Sequence, residues 1–356
     1  MSNRSVDVLI IGGGPAGLSA ALALSRTRRR VALFDSGLYR NAKTRIMNNV
    51  PGFDGTSPHE FRDKVRRELQ SRYSDTFQYI PRQVKSLRKA ELFHLSDGQD
   101  SWTGRKVIFA TGIKDRLPSI PGFDAIWGRS VIHCVFCHGF EAKHRPIAVL
   151  LNPEDGKGIS GKALIIFMQK FDSMQHESVT VLANGIFGEA SEPTPLADEG
   201  ITEDILALAK KKGQVQYQWN MKRIVSISSE EDDSHAPPAT IHFADNTSLT
   251  IPFVVYSPYT EVPEATLELL SDPSLSAIKE SLNNPNPMTS VPMGEITATG
   301  LFQKANVDGV YACGNASLFM STVVMAMNQG QMAGAGADHE IAIEDYAAGI
   351  AAATAT

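Results

Sequence analysis

The first 35 residues constrain this chain more than any other part of it. Residues 6–11 (VDVLII) form a short apolar, β-branched run, the pattern of a strand buried in a parallel sheet. Glycines 12, 13 and 14 follow at once, then a helix-compatible stretch from Pro15 to about Arg28, with the proline tolerated in the first turn. A second apolar run, VALFD at 31–35, completes a β-α-β unit that ends on the acid Asp35. Gly12, Gly14 and Gly17 spell G-x-G-x-x-G. Alone that match is weak; between a strand and a helix, with an acid closing the next strand, it is a dinucleotide-binding fingerprint. Gly12 permits a tight turn, Gly14 lets a pyrophosphate approach the backbone, and Gly17 lets helix and strand pack closely. The helix start offers unpaired N–H groups and a positive dipole end to phosphate. Asp35 can accept hydrogen bonds from ribose hydroxyls.

Strand-like segments recur at 106–110, 147–151, 179–182, 241–243 and 310–313, with helical patterns at 203–212 and about 322–336. The alternation predicts an α/β fold with parallel sheets. Two Pro/Gly-rich joints, 117–122 and 246–258, bracket a middle segment. The simplest organisation is one discontinuous domain, 1–117 plus 250–356, with a second domain, 118–249, inserted. The acidic stretch 230–233, followed by Pro237-Pro238, reads as an exposed hairpin loop.

Composition narrows the function classes. Hydrophobic residues at 42% and charged residues at 21% are the balance of a soluble globular protein. The formal net charge of -5 provides no basic field for nucleic acid. The basic run 26–30 reads as a solvated helix end. The N-terminus shows no signal-peptide core, and no apolar run is long enough to span a membrane, so a cytoplasmic protein is expected. The Ala/Thr tail 347–356 is expected to fray.

Three cysteines exclude a disulfide-stapled secreted fold, and two of them, Cys134 and Cys137, form C-x-x-C. Such a turn at a helix start holds two sulfurs within disulfide reach and lowers the pKa of one thiol. The alternatives are a zinc site and an inert buried pair. Zinc needs two more ligands, and neither Cys313 nor the histidines offer partner spacing. His138 follows directly; with an unperturbed pKa of ~6.5 it can take and give protons, or it is a residue of the turn only. His133 reads as structural, and Cys313 as a small buried hydrophobe.

Two further segments sharpen the fingerprint. Ala110-Thr111-Gly112 follows the apolar strand KVIFA, and residues 309–315 (GVYACGN) precede an apolar helix containing Gln329. With Gly12–Gly17 they resemble the three FAD segments of flavoproteins with two dinucleotide-binding domains. In that family the last segment usually ends in Gly-Asp; here it is Gly314-Asn315, which keeps hydrogen-bonding capacity without the charge. With Asn49-Val50-Pro51-Gly52 and a C-x-x-C just after the first joint, nearly the whole chain resembles the low-molecular-weight thioredoxin reductases. The resemblance implies two Rossmann-like domains, the second inserted in the first, and a homodimer. It implies FAD held by Gly12, Gly14, Pro15, Ala16, Gly17, Asp35, Arg40 and Asn49, by Ala110, Thr111 and Gly112, and by Gly314, Asn315 and Gln329. It implies that Cys137 faces the flavin C4a and that Cys134 exchanges with substrate. His138 stands where the reductases usually have an aspartate proton donor. An imidazolium there would also stabilise the Cys137 thiolate.

One expected feature is missing. A reductase of this type carries a second glycine fingerprint and arginines for NADPH. Here the strand at 145–151 runs into Asn152-Pro153-Glu154-Asp155-Gly156, and the strand at 179–182 ends in Ala183-Asn184-Gly185. Glycine spacing and arginine pair are both absent, and two acids would oppose phosphate. That combination, with Tyr39-Arg40-Asn41, the stretch 47–53 and Cys-x-x-Cys-His-Gly-Phe-Glu ending at Glu141, resembles the fungal dithiol oxidases of gliotoxin-type biosynthesis. It implies an enzyme of secondary metabolism that closes a disulfide in a small-molecule, epidithiodiketopiperazine-type dithiol and passes electrons through the cysteine pair and FAD to O2. The alternative is an NAD(P)H-dependent reductase of a thioredoxin-like protein. A non-catalytic FAD-binding redox sensor is the third reading, and an intact C-x-x-C-His argues against it.

Overall fold

The computed structural model describes residues 3–151, 171, 173–187, 203, 207, 215–230, 236–284, 294–318 and 322–354. The chain divides into two compact units. Met1–Ala42, Pro58–Asp115 and Thr260–Thr356 form the first; Lys43–Ser57 and Arg116–Tyr259 form the second.

In the first unit, strand Asn3–Ile11 lies between Val31–Phe34 and Ser101–Phe109 and is parallel to both. Phe77–Ile80 and Val310–Ala312 extend the parallel array on either side. Val8 and Ile10 join one core, Leu9 and Ile11 the other, so the sheet is covered on both faces and the run needs no polar alternation. One core takes Leu18 and Leu24 from helix Pro15–Arg26 and Ala333 and Ile341 from helix Val323–Thr354. The other lies under the antiparallel strands Ser86–Lys89 and Phe93–Ser96 and takes Leu269 and Ile278 from two short helices.

The C-terminal helix runs to Thr354, where the sequence reading expected it to end near 336 and the tail to fray. Two forces carry it on. Alanine-rich 347–353 has high helix propensity. Before it, Glu344 and Asp345 are tied to Lys106, Arg105 and Arg29. The basic run 26–30 is likewise engaged: Arg28 pairs with Asp75, Arg29 with Asp338 and Asp345, and Arg30 with Asp7.

In the second unit a parallel sheet has the order Gln216–Asn220, Ser178–Leu182, Ile147–Leu150, Phe253–Val255, Val131–Ile132. Ile147 and Val149 face one core, Ala148 and Leu150 the other. Strands Ile224–Ser229, Ala239–Phe243 and Ser248–Ile251 form an antiparallel sheet. The stretch 246–258, read as a joint, holds two strands because Ile251 and Phe253, Val254 and Val255 are buried. Segment 152–156 and nearly all of the helix expected at 203–212 lie outside the described residues. Among the described residues no helix is long and apolar enough to cross a membrane.

Candidate active site and cofactor cradle

The glycine turn of the first unit is built by close approach. Gly12 has φ 120°, and a Cβ there would overlap the Ala110 carbonyl oxygen. A Cβ on Gly17 would overlap the Gly12 carbonyl oxygen, so the helix is seated directly on the turn. Pro15 opens the helix and Ala16 is buried in the core beneath it. Its N-cap, Gly14, brings no capping side chain, and the first turn holds no acid. Among the described residues, apart from the neighbouring backbone, nothing lies within 4 Å of the place a Gly14 Cβ would take. The Ala110 N–H is tied to the Ile11 carbonyl at 2.8 Å, which brings Thr111 and Gly112 beside the turn. Among the described residues the buried Thr111 hydroxyl has no hydrogen-bond partner and the space at Gly112 is open. An uncapped helix start, an open approach at Gly14 and an orphaned hydroxyl fit a pyrophosphate-linked flavin nucleotide.

Asp35 is buried at the end of its strand, with its carboxylate over Gly13, where a Cβ would overlap it. The sequence reading counted three glycines; Gly13 is a fourth with a job. Arg40 turns its guanidinium onto Asp115, at 3.0 and 2.7 Å, so this member of the expected set is committed to an ion pair within the unit.

On the third segment, the Gly314 N–H donates to the Gln329 Oε1 at 3.0 Å, so Gln329 shapes the turn. Asn315 donates its Nδ2 to the Leu318 carbonyl at 3.0 Å. An aspartate could not make that bond, which supplies a local reason for asparagine here. Cys313 is wholly buried, and burial pushes its thiol up to about 12, so it packs as a small hydrophobe. Gly17→Ala is expected to cut flavin retention at least ~10-fold, because the added methyl must lift the helix off the turn. The ratio of flavin to protein absorbance after purification checks this.

In the second unit, strand Val131–Ile132 delivers the chain to Cys134, which caps the four-residue helix Val135–His138. Cys134 and Cys137 are joined as a disulfide, with Cα atoms 5.2 Å apart. The Cys134 carbonyl accepts from the N–H groups of Cys137 and His138, both at 3.1 Å. Val135 is buried and anchors the turn; Phe136 and Phe140 are exposed. A Cβ on Gly139 would overlap the Val135 carbonyl and the Met174 sulfur, so the chain can leave the turn here only as glycine.

His138 follows Cys137 directly, and burial lowers its pKa below 6.5. At neutral pH the ring is therefore a neutral base. That holds for the oxidised pair, in which Cys137 is bonded to Cys134 and carries no thiolate charge. His133 lies 5.8 Å from the Trp127 ring, in keeping with its structural reading.

Sequence reasoning passed over Asn48. Its Nδ2 donates to the Cys137 carbonyl at 3.0 Å and to Glu141 Oε1 at 2.9 Å, clamping both sides of the redox turn. Its neighbour Asn49, on the expected FAD list, adopts φ 63° and closes a local turn by donating its N–H to Asp54 at 2.6 Å. Asn48→Ala is expected to slow dithiol turnover at least ~30-fold, the scale of one neutral and one charge-assisted hydrogen bond lost together. Steady-state kinetics, with flavin content unchanged, check it.

At 183–185 the Asn184 side chain turns inward and accepts from the buried Ile224 N–H at 2.8 Å. That bond ties the turn after strand Ser178–Leu182 to the start of strand Ile224–Ser229.

Comparison with known proteins agrees with this anatomy. Residues 6–236 match the family described as pyridine nucleotide-disulphide oxidoreductase. The chain is 31% identical to "Thioredoxin reductase sirT" of Leptosphaeria maculans, over 96% of each chain. It is 30% identical to "Thioredoxin reductase aclD" of Aspergillus oryzae, covering 96% of this chain and 98% of the relative. Among solved structures, an oxidoreductase from Agrobacterium tumefaciens superposes with TM-score 0.74 at 26% identity, covering 96% of this chain and 99% of that one. The structure of HlmI superposes with TM-score 0.75 at 27% identity, covering 98% and 96%. The chain belongs to the pyridine nucleotide-disulphide oxidoreductase family, as a thioredoxin-reductase-like flavoprotein with two Rossmann-type domains and FAD as its cofactor.

Proposed function

We propose that this protein is an FAD-dependent dithiol oxidase that closes an intramolecular disulfide in a small-molecule dithiol of the epidithiodiketopiperazine type. The observation that carries the reading is the cystine Cys134–Cys137 with a neutral imidazole on the next residue. A disulfide exchanges with thiolates, and a neutral base beside it can generate them.

The chemistry assigned to the chain is as follows. His138 takes a proton from one substrate thiol. The thiolate attacks the Cys134 sulfur; the Cys134–Cys137 bond breaks, a mixed disulfide forms, and Cys137 leaves as thiolate. The second substrate thiol gives its proton to the Cys137 thiolate, and as a thiolate it attacks the substrate sulfur of the mixed disulfide and displaces Cys134. A cyclic disulfide leaves, and the pair is left with two electrons more. FAD held by the cradle at Gly12–Gly17, Thr111 and Gly314 would supply a two-electron acceptor for the reduced pair, with O2 as the terminal oxidant and H2O2 as its product. His138 returns its proton to a leaving thiolate.

Asn184 favours this over the reductase reading, because its amide is already engaged where an arginine would hold NADPH. The sequence at 152–156 points the same way, with Pro153, Glu154 and Asp155 where glycines would be required. Measuring O2 uptake with a small vicinal dithiol tests the proposal. One O2 consumed and one H2O2 formed for each disulfide closed is expected. Turnover that needs NADPH and a thioredoxin-like disulfide, with no O2 uptake, would establish the reductase instead.

A further inference from the structure

Asp35 is held more elaborately than a ribose acceptor requires. Its Oδ2 accepts from the Tyr39 hydroxyl at 2.5 Å and from the Tyr79 hydroxyl at 2.9 Å. Its Oδ1 accepts from the Gly37 N–H at 2.9 Å. A carboxylate has about four acceptor sites, so among the described residues one remains, on Oδ1. The two tyrosines reach Asp35 from different elements: Tyr39 from the loop after strand Val31–Phe34, Tyr79 from the neighbouring strand Phe77–Ile80.

Each tyrosine is in turn held by an arginine of helix Pro58–Arg72, four residues apart and so on one helix face. The Arg62 guanidinium lies 3.7 Å over the Tyr39 ring and donates to Asn41 at 2.9 Å. Arg66 donates to the Tyr79 hydroxyl at 2.6 Å and approaches Asp35 to 3.8 Å. Burial and the hydrogen bond to Asp35 raise the pKa of both hydroxyls, which keeps them protonated as donors. A carboxylate freed of them could rotate and present either oxygen, at an ordering cost on binding.

We propose that Tyr39 and Tyr79 are positioning residues that aim the one open acceptor site of Asp35 at the adenosine ribose of FAD. The proposal rests on the reading that Asp35 receives that ribose, and it makes the adenosine half a determinant of cofactor choice. It also explains why this loop and strand both direct a tyrosine hydroxyl at one carboxylate.

The test uses flavin-stripped protein titrated with two ligands: FAD, and an FAD analogue whose adenosine ribose is 2′,3′-dideoxy. The parent is expected to bind FAD about tenfold more tightly than the analogue, the scale of one charge-assisted hydrogen bond. Tyr39→Phe and Tyr79→Phe keep ring volume and stacking, and each is expected to lose most of that preference by weakening FAD while leaving the analogue nearly unchanged. Asp35→Asn is expected to erase it. Equal losses for FAD and analogue in the tyrosine variants, or a preference kept at the parental level, would overturn the positioning role alone. A parent that binds the two ligands equally would remove Asp35 as the ribose acceptor, and the proposal with it. Thermal unfolding of the stripped variants reads fold separately from affinity.

Discussion

Serine in place of Cys134, or in place of Cys137, is expected to abolish dithiol oxidation while leaving the protein yellow. Either change removes one sulfur of the Cys134–Cys137 bond that the proposed reaction breaks, and a serine hydroxyl cannot accept an electron pair in its place. Turnover should fall by at least ~10³-fold, as it does when a covalent participant is removed. Flavin should stay, because the cradle at Gly12–Gly17, Thr111 and Gly314 belongs to the first unit and both cysteines to the second. Stability should change little, since a disulfide across so short a loop hardly restricts the unfolded chain. Flavin content by absorbance and dithiol turnover by thiol loss separate the two claims. Substantial turnover in either variant would show that electrons take another route.

His138→Ala is expected to lower turnover ~10²–10⁴-fold, the usual contribution of a positioned acid/base. The pH dependence has a sign fixed by burial. The working form is the neutral ring, and burial lowers the pKa below 6.5, so this form persists below that value. Turnover should therefore hold through neutrality and fall only as pH drops through the lowered pKa. An exposed histidine would place the fall near ~6.5. The acid limb should vanish in His138→Ala, and His138→Asn, polar but unable to titrate in this range, should be equally slow. If both variants keep near-parental rates, His138 only shapes the turn.

What the sequence disclosed, and what it withheld, follows from the range of the interactions. The strand at 3–11, the glycine turn and the helix at 15–26 were readable because their determinants lie within a few residues of one another. The C-x-x-C turn was readable for the same reason. Asn48 was not, because its partners are Cys137 and Glu141, far along the chain, and no local pattern marks an asparagine as a clamp. Gly13 looked like filler between motif glycines; only the Asp35 carboxylate lying over it shows why it has no side chain. The departure Asn315 could be seen in the sequence, but its reason, donation to the Leu318 carbonyl, could not. The depressed pKa of His138 was hidden too, since burial is a property of the folded turn and not of the residue.

The central claim is that electrons enter through substrate thiols and not through a pyridine nucleotide. Anaerobic flavin reduction, followed by loss of the yellow absorbance after rapid mixing, tests it most directly. The account predicts that a small vicinal dithiol bleaches the flavin of the parent protein, and that NADPH at the same concentration leaves it oxidised over the same time. Rapid bleaching by NADPH, with none by the dithiol, would contradict it.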